Sequence, residues 1–185
     1  MKKSVWVFLA LAFVLTLNSR AEAADPSYLI GPGDLIEISV WKDEALSRQL
    51  TVPPDGVISF PLIGDLDVTQ MTVTGLREAI TKRLSAYVPD ATVTVMILKM
   101  DSLKAFVIGK VNRPGEFPIT LETSVVQILS MAGGLNPYAS ESKIHVLRRK
   151  GKETVKIPFD YKEVLKGENL SQNILLERGD VVVVP

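Results

Sequence analysis

His145 is the single histidine of this 185-residue chain, and cysteine is absent. A histidine cluster or thiolate set for a metal, a disulfide and a thiol nucleophile are therefore all excluded. His145 stands between Ile144 and Val146 in an alternating run, so it reads as a surface or half-buried strand residue. No Gly-x-Ser-x-Gly elbow and no phosphate-cradling P-loop occur. Gly31-Pro32-Gly33 starts like a dinucleotide fingerprint, but Ile36 occupies the third glycine position and a strand pattern follows where a helix is required. Carboxylates are plentiful, and two held across a sugar bond are enough for glycoside hydrolysis. Yet Asp34, Asp55, Asp65 and Asp180 each adjoin a glycine in a turn context, where a carboxylate usually bonds nearby backbone. The reading is a protein with no catalytic residue, no bound metal and no cofactor. A hydrolase ranks last among the alternatives.

Residues suited to binding are somewhat more visible. Arg148, Arg149, Lys150 and Lys152 form a basic run at the expected tip of a hairpin. Such a run either guards a sheet edge or meets an anionic polymer or a neighbouring subunit. Asn136 and Tyr138 fall in a loop after Gly133-Gly134, and a loop tyrosine can stack on a sugar. Arg113, at a Pro-Gly turn, joins Asn136, Tyr138, Arg148 and Arg149 as a candidate polymer or subunit contact. Trp41 ends a strand and reads as core or interface. Lysine plus arginine equals aspartate plus glutamate at 21 each. That balance argues against a nucleic-acid partner, which needs a basic surface.

The elements that must position these residues are mostly strands. Residues 28–41 predict a short strand, a Gly-Pro-Gly-Asp turn and a longer strand in which Ile36, Ile38 and Val40 share a face. Further strands are expected at 47–52, 57–61 and 63–68. Thr72 should cap a helix over 73–87, with Val73, Leu76, Ile80, Leu84 and Tyr87 on one face. A strand at 91–98 closes this unit. After a short polar joint at 100–104, a central strand at 105–111 leads through a type II turn at 113–116 to a partner at 116–120. A helix at 125–132 stops at Gly133-Gly134. A hairpin at 143–159, a helical turn near 161–166 and a closing strand at 181–184 complete the chain. Arg178-Gly179-Asp180 before that last strand echoes the opening Gly-Asp turn, suggesting two related β-rich units. The order of the second unit suits a β-grasp within an α+β chain.

The first residues form a targeting segment. Lys2 and Lys3 precede an apolar run over residues 5–17, and Ala21-Glu22-Ala23 offers small residues at the two positions a signal peptidase reads. Residues 1–23 are expected to be a cleaved signal peptide. The mature protein is then expected in the periplasm, associated with the outer membrane and not lipidated at a cysteine.

Taken together, residues 28–41 (YLIGPGDLIEISVW), 52–64 (VPPDGVISFPLIG), the helix from Val73 and residues 91–95 resemble the polysaccharide-export domain of Wza-type export proteins. Residues 106–119 (FVIGKVNRPGEFPI), Ala132 to Leu135, Ile144 to Arg149 and residues 176–185 (LERGDVVVVP) resemble the soluble-ligand-binding β-grasp (SLBB) domain that follows it there. The resemblance implies a polysaccharide-export domain over 26–100 packed against one β-grasp domain over 104–185. It also implies export of capsule or exopolysaccharide by a homo-oligomeric ring and no enzymatic activity. The implied partners are the polysaccharide, an inner-membrane chain-length regulator with its tyrosine kinase, and the outer membrane. This sequence lacks the lipidated cysteine, one or more β-grasp repeats and the C-terminal amphipathic helix of larger members. A separate outer-membrane pore component is therefore expected. A monomeric periplasmic carbohydrate-binding module is the alternative.

Overall fold

The computed structural model describes residues 27–185, so the expected signal peptide lies outside the described residues. Alternation of buried and half-exposed residues builds strand β1 (Leu35–Val40), with Ile36, Ile38 and Val40 inward. It sits between β2 (Asp43–Thr51) and β5 (Val93–Lys99) in an antiparallel sheet ordered β2-β1-β5. Ile38 lies opposite Arg48 on one side and Val95 on the other. Strands β3 (Val57–Phe60) and β4 (Gly64–Asp67) form a separate hairpin. Helix α1 (Val73–Leu84) starts where the Thr72 hydroxyl accepts from the Gly75 amide at 3.0 Å. Its Leu76, Ile80 and Leu84 are fully buried and join Phe60, Ile58, Ile36 and Ile38 in one core.

A second sheet of five strands is ordered β7-β6-β10-β8-β9: β6 (Lys104–Gly109), β7 (Gly115–Pro118), β8 (Ile144–Lys150), β9 (Glu153–Phe159) and β10 (Val181–Val184). The last strand enters its middle, parallel to β6 and antiparallel to β8. Helix α2 (Val125–Met131) packs Val125, Ile128 and Leu129 into the second core, beside Val107, Val146 and Val182. Helix α3 (Tyr161–Leu165) follows the hairpin. A mixed sheet wrapped on one helix is the β-grasp arrangement, and the whole is α+β. No helix among the described residues is long and apolar enough to cross a membrane.

Several expectations change. Residues 28–30 form no strand; the Ile30 amide donates instead to the Met71 carbonyl. Strand β2 begins earlier, at Asp43, because Asp43 and Ser47 organise the turn out of β1: the Ser47 hydroxyl donates to the Asp43 carbonyl and accepts from the Val40 amide. Gly64 and Asp65 belong to β4 itself, and residues 61–63 turn instead, with Leu62 at φ 67°. Helix α1 ends at Leu84, which leaves Tyr87 exposed. Strand β6 is central by pairing, but Ile108 is exposed on its second face. The type II turn at 113–116 does not form, since Gly115 already pairs with Val107 in β7; the chain reverses over residues 110–114. Trp41 is exposed and contributes nothing to the core.

Candidate functional site

Two turns of the same construction lie at the joint between the cores. In the first, the Asp34 amide donates to the Gly31 carbonyl, and the Gly31 amide donates back to Asp34 Oδ2 at 2.9 Å. In the second, the Asp180 amide donates to the Glu177 carbonyl, and the Glu177 amide donates to Asp180 Oδ2 at 2.9 Å. The residue before each aspartate has positive φ, 95° at Gly33 and 80° at Gly179, where glycine is the inexpensive choice. Each turn launches a strand that is paired on both sides, β1 and β10. Both aspartates are fully buried, so each turn must satisfy its carboxylate internally.

They do so with different partners. Asp34 Oδ1 accepts from the Ser102 amide at 2.9 Å, and Oδ2 accepts from the Tyr28 hydroxyl at 2.5 Å. That hydroxyl also lies 2.9 Å from Ser102 Oγ. The chain between the two cores is thus tied to the opening turn. Burial, and the Asp34 carboxylate beside it, push the Tyr28 phenol from 10.0 up to about 12. Asp180 takes a guanidinium instead: Arg148 Nη2 and Nε donate to it at 2.6 Å and 3.0 Å. Arg148 also reaches Glu177 at 2.6 Å and the Leu175 carbonyl at 2.8 Å. The Asp180 hydrogen bonds raise the Arg148 pKa further above its ordinary value.

The turns also meet each other. Arg178 reaches across from the second turn, its Nη2 donating to the Leu29 carbonyl at 2.5 Å and its guanidinium lying 5.9 Å from the centre of the Tyr28 ring. A Cβ on Gly31 would collide with that guanidinium. Beside this clasp opens a groove of about 590 Å³ lined by Tyr28, Leu29, Gln70, Leu121, Leu175 and Arg178, among others. Among the described residues no group of three or more histidine, aspartate or glutamate side chains could hold a metal.

This joint connects two sequence units that are both similar to known families. The polysaccharide biosynthesis/export protein family matches residues 22–98, and the SLBB domain matches residues 103–184. The chain belongs to the Wza-like polysaccharide biosynthesis/export family. Among its relatives, the polysialic acid transport protein KpsD of Escherichia coli is 26% identical over 162 residues, 86% of this chain and 28% of its own. The EPS I polysaccharide export outer membrane protein EpsA of Ralstonia nicotianae is 29% identical over 182 residues, 85% of this chain and 47% of its own. The exopolysaccharide production protein ExoF of Rhizobium meliloti is 25% identical over 221 residues, 96% of this chain and 52% of its own. The chain thus spans between about a quarter and half the length of these relatives.

The candidate contacts named from the sequence do not converge on one site. Arg148 leaves the basic tip altogether, with its side chain 11% exposed and turned inward onto Asp180. The tip is made by Arg149, Lys150 and Lys152, all exposed at the end of β8 and its turn. Arg113 lies at the other end of the unit, where its Nη2 donates to the Met131 carbonyl at 3.0 Å and closes the C-terminus of α2. Asn136 Oδ1 accepts from the Tyr138 amide at 2.9 Å, and this Asx turn holds the Tyr138 side chain 80% exposed. His145 is half-buried, its Nδ1 3.2 Å from the Lys143 carbonyl. Sequence reasoning missed Tyr28, Ser102 and Arg178, the residues that join the cores. Only the repeated Gly-Asp turn signalled them.

Proposed function

We propose that the protein is a periplasmic, outer-membrane-associated component of a capsule or exopolysaccharide export conduit. It acts by oligomeric assembly and passage of polymer, not by catalysis. The observation that supports this most is the export unit and the β-grasp unit held in tandem by the Tyr28–Asp34–Ser102 and Arg178 contacts. A subunit of a ring has to present its two units at one fixed angle, or the ring cannot close. In this reading its partners are further copies of itself, the polysaccharide, an inner-membrane chain-length regulator with its tyrosine kinase and a separate outer-membrane pore component. Light scattering on the mature protein, with and without mild detergent, should give a defined mass of many copies. A strict monomer at high concentration overturns the conduit. Ion or polymer conduction by the protein alone in bilayers overturns the separate pore component.

The exposed Tyr138 ring beside Asn136 favours a second reading, a monomeric carbohydrate-binding module. Tight glycan binding by a monomer, lost in Tyr138→Ala, selects it over the conduit.

A further inference from the structure

Trp41 is 73% exposed and gives nothing to its own core. With Lys42 it makes the two-residue turn between β1 and β2, where Val40 pairs with Asp43. Such a tip favours Asn-Gly, whose residues accept left-handed backbone angles. Here Lys42, not a glycine, takes φ 62°. An apolar ring of this size, held out on a turn that would form more easily without it, is placed to meet another surface, and tryptophan is among the residues that carry most binding energy in interfaces. The groove at the joint is a matching surface. Leu29 and Leu175 on its walls are 42% and 48% exposed, and leucine side chains offer a sugar hydroxyl no hydrogen bond. Its volume of about 590 Å³ lies in the range of sites that enclose small organic groups. Arg178 on its rim pairs with no carboxylate among the described residues, and Glu44, beside the Trp41 turn, pairs with no cation.

We propose that Trp41 of one copy docks in the joint groove of the next, with Glu44 facing Arg178 on the rim. This rests on the reading that the protein works as an assembly, and it names one of the contacts. The occupant is a second copy because a chain cannot fill its own groove. The Gly31–Asp34 turn, bonded to Tyr28, opens β1 beside the groove, and Trp41 follows β1 at its other end. The six residues of that strand separate the two by roughly 20 Å. Apolar ring meets apolar wall, and a lone carboxylate meets a lone guanidinium. Tip and groove are different surfaces, so the contact is heterologous: it repeats from copy to copy and closes into a ring where the rotation allows. Both units build the groove, Leu29 and Gln70 from the first, Leu121 and Leu175 from the second. A neighbour seated there therefore also holds the angle between the units.

The only other tryptophan, Trp6, falls in the expected signal peptide, so in the mature protein Trp41 fluoresces alone. Dilution should move its emission to longer wavelength in step with the fall in mass seen by light scattering. Trp41→Ala should weaken association at least about 25-fold, the size of an interface hot spot, with circular dichroism unchanged. Glu44→Lys should weaken it by up to about fivefold. The chain has no cysteine, so the Glu44→Cys, Leu175→Cys double variant of the mature protein tests the contact directly. Mild oxidation should give a ladder of covalent multimers, because tip and groove of one chain stand too far apart for a disulfide. Glu44→Cys with Lys110→Cys, at the far end of β6 from the joint, should give no ladder. An assembly whose emission stays that of an exposed indole throughout, and whose Glu44→Cys, Leu175→Cys variant gives no ladder, overturns this docking alone. A wild-type protein that is monomeric at every concentration overturns both the docking and the assembly reading.

Discussion

Arg148 illustrates how a side chain that looks like a surface charge can become structural. Its guanidinium is 11% exposed and Asp180 is 1% exposed, in contact at 2.6 Å. Removing one member of such a pair strands the other, at a cost of about 3–5 kcal/mol. Arg148→Ala is expected to lower stability by that order, read as a fall in the urea midpoint, whereas Arg149→Ala stays within about 0.5 kcal/mol of wild type. Equal, small effects of the two would show that the pair carries no stability. Tyr28 sets a pH dependence. Its folded pKa lies above its unfolded value, so its proton stabilises the fold fully below pH 10. That contribution is lost as pH rises through about 12. Stability should therefore fall between these values in the wild type, and this part of the fall should vanish in Tyr28→Phe. The presence of a basic run was legible in the sequence because charge is local. Which member of it turns inward was not, because Asp180 is brought to Arg148 only by the pairing of β8 with β10.

At the scale of elements, backbone approach decides what may be substituted. Gly109 ends β6 at φ 96°, and a Cβ there would overlap the Val184 carbonyl of β10. Neither backbone can yield without breaking the parallel ladder. Gly109→Ala should destabilise the second sheet by about 1–3 kcal/mol or more, visible as early exchange of the β10 amides. Gly31 is crowded differently, by the flexible end of Arg178. Gly31→Ala should displace that side chain and leave its own sheet intact. Gly31→Ala and Arg178→Ala should then each cost about 1 kcal/mol, and the double variant should cost little more than either, a coupling that marks neighbours in contact. Simple additivity would mean that the two do not touch in solution. Helices α1 and α2 and the β8–β9 hairpin were legible, because apolar spacing, Thr72 and the glycine stops act within a few residues. The false turn at 113–116 arose from the same local rule: Pro-Gly suits a type II turn, but the β6–β7 register draws Gly115 into the ladder.

At the scale of the whole molecule, two hydrophobic cores are joined by few contacts: the hydroxyl of Tyr28, the carboxylate of Asp34, the amide of Ser102 and the guanidinium of Arg178. Few contacts mean that coupling is easy to break. The wild type should unfold in one calorimetric transition, and Tyr28→Phe combined with Arg178→Ala should split it into two. A single transition in that variant would show that the cores are held by something else. Apolar periodicity, turn chemistry and the spacing of Gly and Asp are properties of neighbouring residues, so the sequence alone determined two β-rich units, their helices and their membership of an export family. The angle between the units and the burial of Arg148 are different in kind. Each depends on residues far apart in the chain reaching the same place: Tyr28 and Arg178, Arg148 and Asp180. Local patterns carry no term for that distance, and only the folded chain supplies it.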